Sequence, residues 1–203
     1  MQEKGYRVAL IEPSLEACTN ALKRGVKNVY CGTVDENSIE VDSVDQMMLL
    51  DVLEHINDHR EFMRLLWTKL KSGGRCLVTV PAFLNLWSSE DEEAGHFRRY
   101  KRKALETLAV ESGFFVIYCN YFMEFLYLPI LLVRVWMERI GLLKKSMERT
   151  REEEQRIRKA QFEKRTGPVG WMLHFFQDRE FRKIDKEKKI RFGSSLVIVL
   201  EKR

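Results

Sequence analysis

The chain has 203 residues, 45% hydrophobic and 11% aromatic, enough for one domain burying roughly 70% of its unfolded surface, which excludes disordered and fibrous classes. A net charge of +5, from 35 Lys and Arg against 30 Asp and Glu, is interleaved along the chain, so no nucleic-acid partner is expected. The four cysteines (Cys18, Cys31, Cys76, Cys119) show no C-x-x-C spacing, which excludes a disulfide framework and a cysteine zinc cage, and the polar start carries no signal-peptide core. A cytoplasmic chain is the expectation.

Residues 6–11 (YRVALI) read as a strand that ends at Glu12, Pro13 and Ser14, where the apolar spacing turns helical through Leu15, Cys18, Ala21 and Leu22. Gly25 closes that helix. Residues 27–31 (KNVYC) form a second strand with a loop at Gly32, Thr33, Val34 and Asp35. Residues 44–50 (VDQMMLL) are a third, running into Asp51, Val52, Leu53, Glu54, His55 and Ile56. A helical stripe over 60–70 stops at Ser72-Gly73-Gly74, and residues 75–80 (RCLVTV) are a buried strand ended by Pro81. A helix over 101–112, a strand over 114–118 and a strand over 195–200 complete the core. This alternation predicts an α/β fold with a doubly wound parallel sheet.

In such sheets ligands bind beyond the carboxyl ends of the strands, so the candidate positions are Glu12, Thr33 with Val34, the 51–56 segment and the 81–100 segment. A carboxylate at Glu12 can accept hydrogen bonds from both hydroxyls of a ribose. It can equally serve as a helix N-terminal acid stabilised by the dipole.

The set as a whole resembles the class I S-adenosylmethionine-dependent methyltransferases of small-molecule type, with a D-x-L-E-H segment. The resemblance rests on RVALIEPS (7–14), LLDVLEHI (49–56), LKSGGRCLVTVP (70–81), GHFRRYKRKALETLAVESGF (95–114) and FGSSLVIVLEK (192–202). It implies a Rossmann-like methyltransferase sheet with S-adenosyl-L-methionine as cofactor. It further implies that Glu12, with Pro13 beside it, holds the ribose and that Thr33 and Val34 flank the adenine. Leu50, Asp51, Val52 and Leu53 would lie against the cofactor, with His55 on the cofactor side. The family's first strand and its Gly-rich loop have no counterpart in this sequence. The expectation is therefore an N-terminally truncated sheet, from a longer methyltransferase or a misplaced start, in which the neighbours of the missing strand pair directly or stay unpaired.

Methyl transfer from a sulfonium needs an oriented acceptor and, for oxygen or nitrogen, a destination for its proton. Following the 75–80 strand, His96 is the candidate general base, with Tyr100 beside it as a second catalytic candidate. Arg98 and Arg99 are candidate clamps for an acidic group on the substrate. The alternative is that GHFRRY merely opens the next helix with a basic face. No metal is expected: His55 and His59 stand beside Glu54, but H-E-x-x-H is absent and no third ligand is nearby.

Residues 1–120 and 191–203 are assigned to the core, and 121–190 to a helical insertion or cap. Within it, the uncharged run over 125–133 is about half the roughly 20 residues a membrane span needs. Glu124, Arg134, Glu138 and Arg139 share one sector of a helical wheel, and the apolar residues occupy the rest. This predicts an amphipathic helix bent at Pro129. It reads first as a lid over the acceptor pocket, with peripheral membrane contact through 121–143 as the sharper alternative. Residues 144–165 read as a solvated charged helix, and Trp171, His174, Phe175 and Phe176 as a patch returning to the core.

The favoured function is methyl transfer to a small-molecule acceptor, hydrophobic or lipid-linked. The competing readings are a non-catalytic domain of this fold that binds a partner or membrane through its insertion, and a nicotinamide-dependent oxidoreductase, which also places an acid after its second strand.

Overall fold

The computed structural model describes residues 5–35, 39–141, 168–186 and 188–203, with the backbone alone for Arg134 and residues 168–174. The expectations for 144–165, and for the side chains of Trp171 and His174, lie outside the described residues.

The chain opens as a strand–helix–strand unit. Strand β1 (Ala9–Glu12) leads into helix α1 (Leu15–Lys23), capped by Ser14, whose hydroxyl accepts from Ala17 N at 3.3 Å, and returns in β2 (Asn28–Cys31). β1 and β2 pair in parallel, with Glu12 opposite Cys31. They form a two-stranded sheet of their own. Among the described residues β1 and β3 do not pair, so of the two expected outcomes the unpaired one is observed.

The larger sheet has the order β3-β4-β6-β5. β3 (Val44–Leu50) runs parallel to β4 (Leu70–Pro81), and β6 (Ser195–Glu201) is antiparallel to both β4 and β5 (Phe115–Phe122). The sheet is thus mixed rather than purely parallel. Helix α2 (His59–Lys69) and helix α4 (Arg102–Glu111) supply Met63, Leu66, Leu105, Leu108 and Ala109 to the core beneath it. Cys76, Val78 and Val80 of β4 and Leu196, Ile198 and Leu200 of β6 are fully buried, the two-residue period of strands packed on helices. β4 begins five residues before the expected start. Its register against β3 jumps from Leu70 to Arg75, which loops Ser72, Gly73 and Gly74 out of the ladder.

β5 also runs longer than expected, because Tyr121 is buried and still pairs with β6. The chain rejoins the core before 191: Ile190 is buried, and the Asn120 side chain accepts from Ile190 N and donates to Lys188 O, both at 2.9 Å. The segment assigned to a cap therefore begins beyond Phe122. Among the described residues it holds α5 (Glu124–Pro129), a π-helical stretch (Ile130–Trp136), α6 (Met137–Arg139) and α7 (Pro168–Asp185). Pro129 lacks an N–H and crowds the carbonyl one turn back, and the helix widens to π geometry directly after it. Phe175 and Phe176, expected in the core, are exposed.

Candidate active site

β3 ends at Asp51, whose φ of +53° is left-handed for a non-glycine residue. Thr79 of the adjacent strand holds it there: Asp51 N donates to Thr79 O and Oγ1, and Thr79 Oγ1 donates to Asp51 Oδ1, each at 3.1 Å. Such strained positions persist where the surroundings over-determine them, and they cluster at functional sites. The turn directs Leu53 and Glu54 into the protein and leaves Asp51, Val52 and His55 outside.

Glu54 is completely buried and its two carboxylate oxygens have no hydrogen-bond partner. Burial, reinforced by the charge of Asp51, pushes its pKa up to about 7. Facing it is His96, whose Nε2 lies 4.0 Å from Glu54 Oε1. The His55 ring stands edge-on to His96 with centroids 4.6 Å apart. Burial, and then the neighbouring His96, lower the pKa of His55.

His96 is positioned by the segment after β4. A short helix, α3 (Ser89–Glu93), carries Asp91. Asp91 Oδ1 accepts from His96 Nδ1 and Arg99 Nε at 2.8 Å, and Oδ2 accepts from Ser88 N and Arg99 Nη2 at 3.0 Å. Burial works against ionisation of this carboxyl, but the Arg99 bonds and then the His96 bond hold it below the usual carboxylate range. With Asp91 ionised, His96 donates to it from Nδ1, and Nε2 is the ring nitrogen that faces Glu54.

Several sequence expectations require correction here. Tyr100 is 4% exposed, and its hydroxyl is hydrogen-bonded to His59 Nδ1 at 2.8 Å and donates to Leu53 O at 3.3 Å, so the hydroxyl is spent on locking the turn. Arg98 donates to the carbonyls of Ile56 and Asn57, and Arg99 is consumed by Asp91 and Ala82 O. Neither guanidinium is a free clamp. Leu53 is inaccessible, and its side chain belongs to the core rather than to the cofactor-side surface. GHFRRY does not open a helix: Tyr100 bridges to Ala82, and α4 begins at Arg102.

The remaining candidates stand at carboxyl ends of strands. Glu12 ends β1, its Oε1 accepting from Ser14 N at 2.9 Å and its other oxygen uncommitted. Pro13 and Thr33 are exposed beside it, and Val34 packs against the core of the larger sheet. Leu50 and Val52 present exposed apolar side chains at the end of β3. An available carboxylate together with apolar surface fits the adenosine part of S-adenosylmethionine. The sequence contains no G-x-G turn that would fit its methionine part. A groove of about 600 Å³ between α2 and α4 is lined by His59, Arg60, Arg98, Arg99, Tyr100 and Lys103 among others; it gathers the three candidates Arg98, Arg99 and Tyr100 and none of the cofactor-side residues.

A family model described as a methyltransferase domain matches residues 1–118. The chain belongs to this methyltransferase family. S-adenosylmethionine is the family's cofactor. Solved structures with the same fold include the phosphoethanolamine N-methyltransferase 2 of Haemonchus contortus in complex with S-adenosyl-L-methionine, at TM-score 0.57 and 18% identity, covering 99% of this chain and 44% of that one. The S-adenosylmethionine-dependent methyltransferase of Archaeoglobus fulgidus matches at 0.54 and 16%, covering 99% and 78%. That of Mesorhizobium loti matches at 0.54 and 12%, covering 98% and 83%. The chain thus spans less than half of the Haemonchus enzyme. No curated protein matches.

Sequence reasoning missed Glu54 and Asp91 as site residues. The available signals were an acid inside the apolar LLDVLEHI run and the S-x-x-D pattern of Ser88 and Asp91, which marks a helix start.

Proposed function

We propose that this methyltransferase acts on a small acceptor that is hydrophobic or lipid-linked, in the cytoplasm and at a membrane surface. The observation that carries this reading is the attachment of the cap to the segment that bears the site. Glu138 of α6 accepts from Ser89 N at 3.1 Å and from Ser89 Oγ, and Asn85 Nδ2 donates to the Tyr127 hydroxyl at 2.8 Å. The same cap exposes Leu128, Leu132, Val133, Trp136 and Ile140, and α7 exposes Phe175, Phe176 and Phe181. An apolar surface joined directly to the turn that holds Asp91 and His96 suits an acceptor with an apolar tail. Among the described residues no helix is long and apolar enough to cross a membrane, so contact would be monotopic.

When bound, S-adenosylmethionine supplies an electrophilic methyl group on a sulfonium. Glu12, Pro13, Thr33, Val34, Leu50, Asp51 and Val52 hold its adenosine part, with His55 at the edge of that surface. An oxygen or nitrogen acceptor loses its proton at the cluster of Glu54, His55 and His96.

The test is calorimetric titration of S-adenosylhomocysteine, paired with co-sedimentation on anionic phosphatidylserine vesicles. Micromolar binding, lost at least tenfold in Glu12→Ala, is expected, together with vesicle binding that Trp136→Glu with Leu132→Glu abolishes. Absence of S-adenosylhomocysteine binding overturns the catalytic reading for this chain. Absence of vesicle binding, with methylation of a purely polar acceptor, overturns the lipid part.

A further inference from the structure

Glu54 has no partner for either carboxylate oxygen, although its side chain is 1% exposed. A buried carboxyl group without hydrogen bonds is costly, and among the reasons a native fold keeps one is an ion that it binds. Its surroundings indicate what that is. The ligating atoms of Glu54, His55 and His96 all lie within 4.8 Å of one another.

The second shell is also built. His96 Nδ1 is held by Asp91 Oδ1 at 2.8 Å, and Asp91 is itself locked by Arg99. Metal-ligating histidines characteristically give their other ring N–H to a carboxylate in this way, which fixes the tautomer and aims the remaining lone pair. Here the other ring nitrogen faces Glu54, with Nε2 to Oε1 at 4.0 Å. Zn–N and Zn–O bonds of about 2.0–2.1 Å place tetrahedral donors roughly 3.3 Å apart. Modest side-chain rotation closes the present spacing, and exposed His55 has room for it.

We infer that Glu54, His55 and His96 form a binding site for a divalent transition-metal ion of the zinc class. Two imidazoles and one carboxylate match the ligand preference of such ions, and three protein donors leave a position open. The residues come from the 51–56 turn and from a position some forty residues later, so no local motif announces the site. Its use in catalysis rests on the methyl-transfer reading above: an acceptor hydroxyl at the open position exchanges its O–H bond for an O–metal bond and releases the proton to solvent. His96 is then a ligand, and the site needs no separate base.

The experiment is titration of cobalt(II), whose visible absorption reports coordination, into the full chain after chelator treatment. One saturable site is expected, displaced by zinc. Glu54→Gln, His55→Asn and His96→Asn should each weaken it at least tenfold, Asp91→Asn about 10–100-fold, and His59→Asn not at all. Unfolding curves of Glu54→Gln, which conserves shape, show that the loss is not misfolding. No saturable site, or equal affinity in wild type and the three ligand variants, overturns the inference. S-adenosylhomocysteine binding in chelator reads the methyltransferase assignment separately: cobalt binding without it keeps the site and rejects that reading, and the reverse rejects the site alone.

Discussion

His96 Nδ1 lies 2.8 Å from Asp91 Oδ1, and the same carboxylate is gripped by Arg99 through Nε at 2.8 Å and Nη2 at 3.0 Å. One aspartate thus orients the imidazole and neutralises a guanidinium that is 5% exposed. Removing one member of a buried pair leaves the other uncompensated, at a cost of about 3–5 kcal/mol. Asp91→Asn is expected to lose stability on that scale in urea unfolding at pH 7. A loss below about 1 kcal/mol would show that water or its existing bond to Ala82 O suffices for Arg99.

The buried carboxyl of Glu54 makes stability fall with pH. Its folded pKa of about 7 stands above the ordinary value of 4.5, so the folded state holds the proton more tightly than the unfolded one. The associated stability is complete below pH 4.5 and is lost as pH rises through 7. The difference is about 3 kcal/mol, and the charged and titratable groups around it include Asp51, Asp91, Arg99, His55, His96 and Tyr100. Glu54→Gln should be the less pH-sensitive protein, gaining on wild type between pH 4.5 and pH 8 with chelator present. Parallel stability curves would contradict the raised pKa.

Tyr100 is predicted to be structural. Burial raises its pKa to about 12, and its hydroxyl serves His59 and Leu53 O. Tyr100→Phe should cost about 1 kcal/mol of stability and leave S-adenosylhomocysteine affinity within twofold. A tenfold loss of methyl transfer at unchanged stability would return it to the catalytic set.

Gly193 permits the close approach of the chain before β6 to β5. A Cβ there would meet Phe122 O at 2.3 Å and Phe122 C at 2.9 Å, both backbone atoms that cannot swing aside. Gly193→Ala is expected to lower stability by roughly 1–3 kcal/mol, the scale of overpacking. Thermal unfolding of the two proteins decides it, and equal melting temperatures would show that β5 shifts freely.

Where the sequence was legible, the signal was local. The strands β1 to β3 and β6 and the helices α1, α2 and α4 appear within a few residues of where the sequence places them, because element type follows from periodicity over a few residues. The family could be read from five such segments in order. The length of β5 was misjudged because Cys119, Asn120 and Tyr121 break the apolar run, although pairing with β6 keeps them in the sheet.

The partners of each side chain are another matter. Arg98 and Arg99 look like substrate clamps in a string of letters, and only the folded chain shows them spent on Ile56, Asn57, Ala82 and Asp91. Glu54 looks like one more acid in a turn, until burial removes its water and His96 arrives from forty residues away. By itself the sequence determined the order of strands and helices and the family to which they belong, since both are carried by residues adjacent in the chain. The tertiary structure decided that the strands divide into two sheets and that Glu54, His55 and His96 converge, because strand pairing, desolvation and side-chain reach depend on the path of the whole chain.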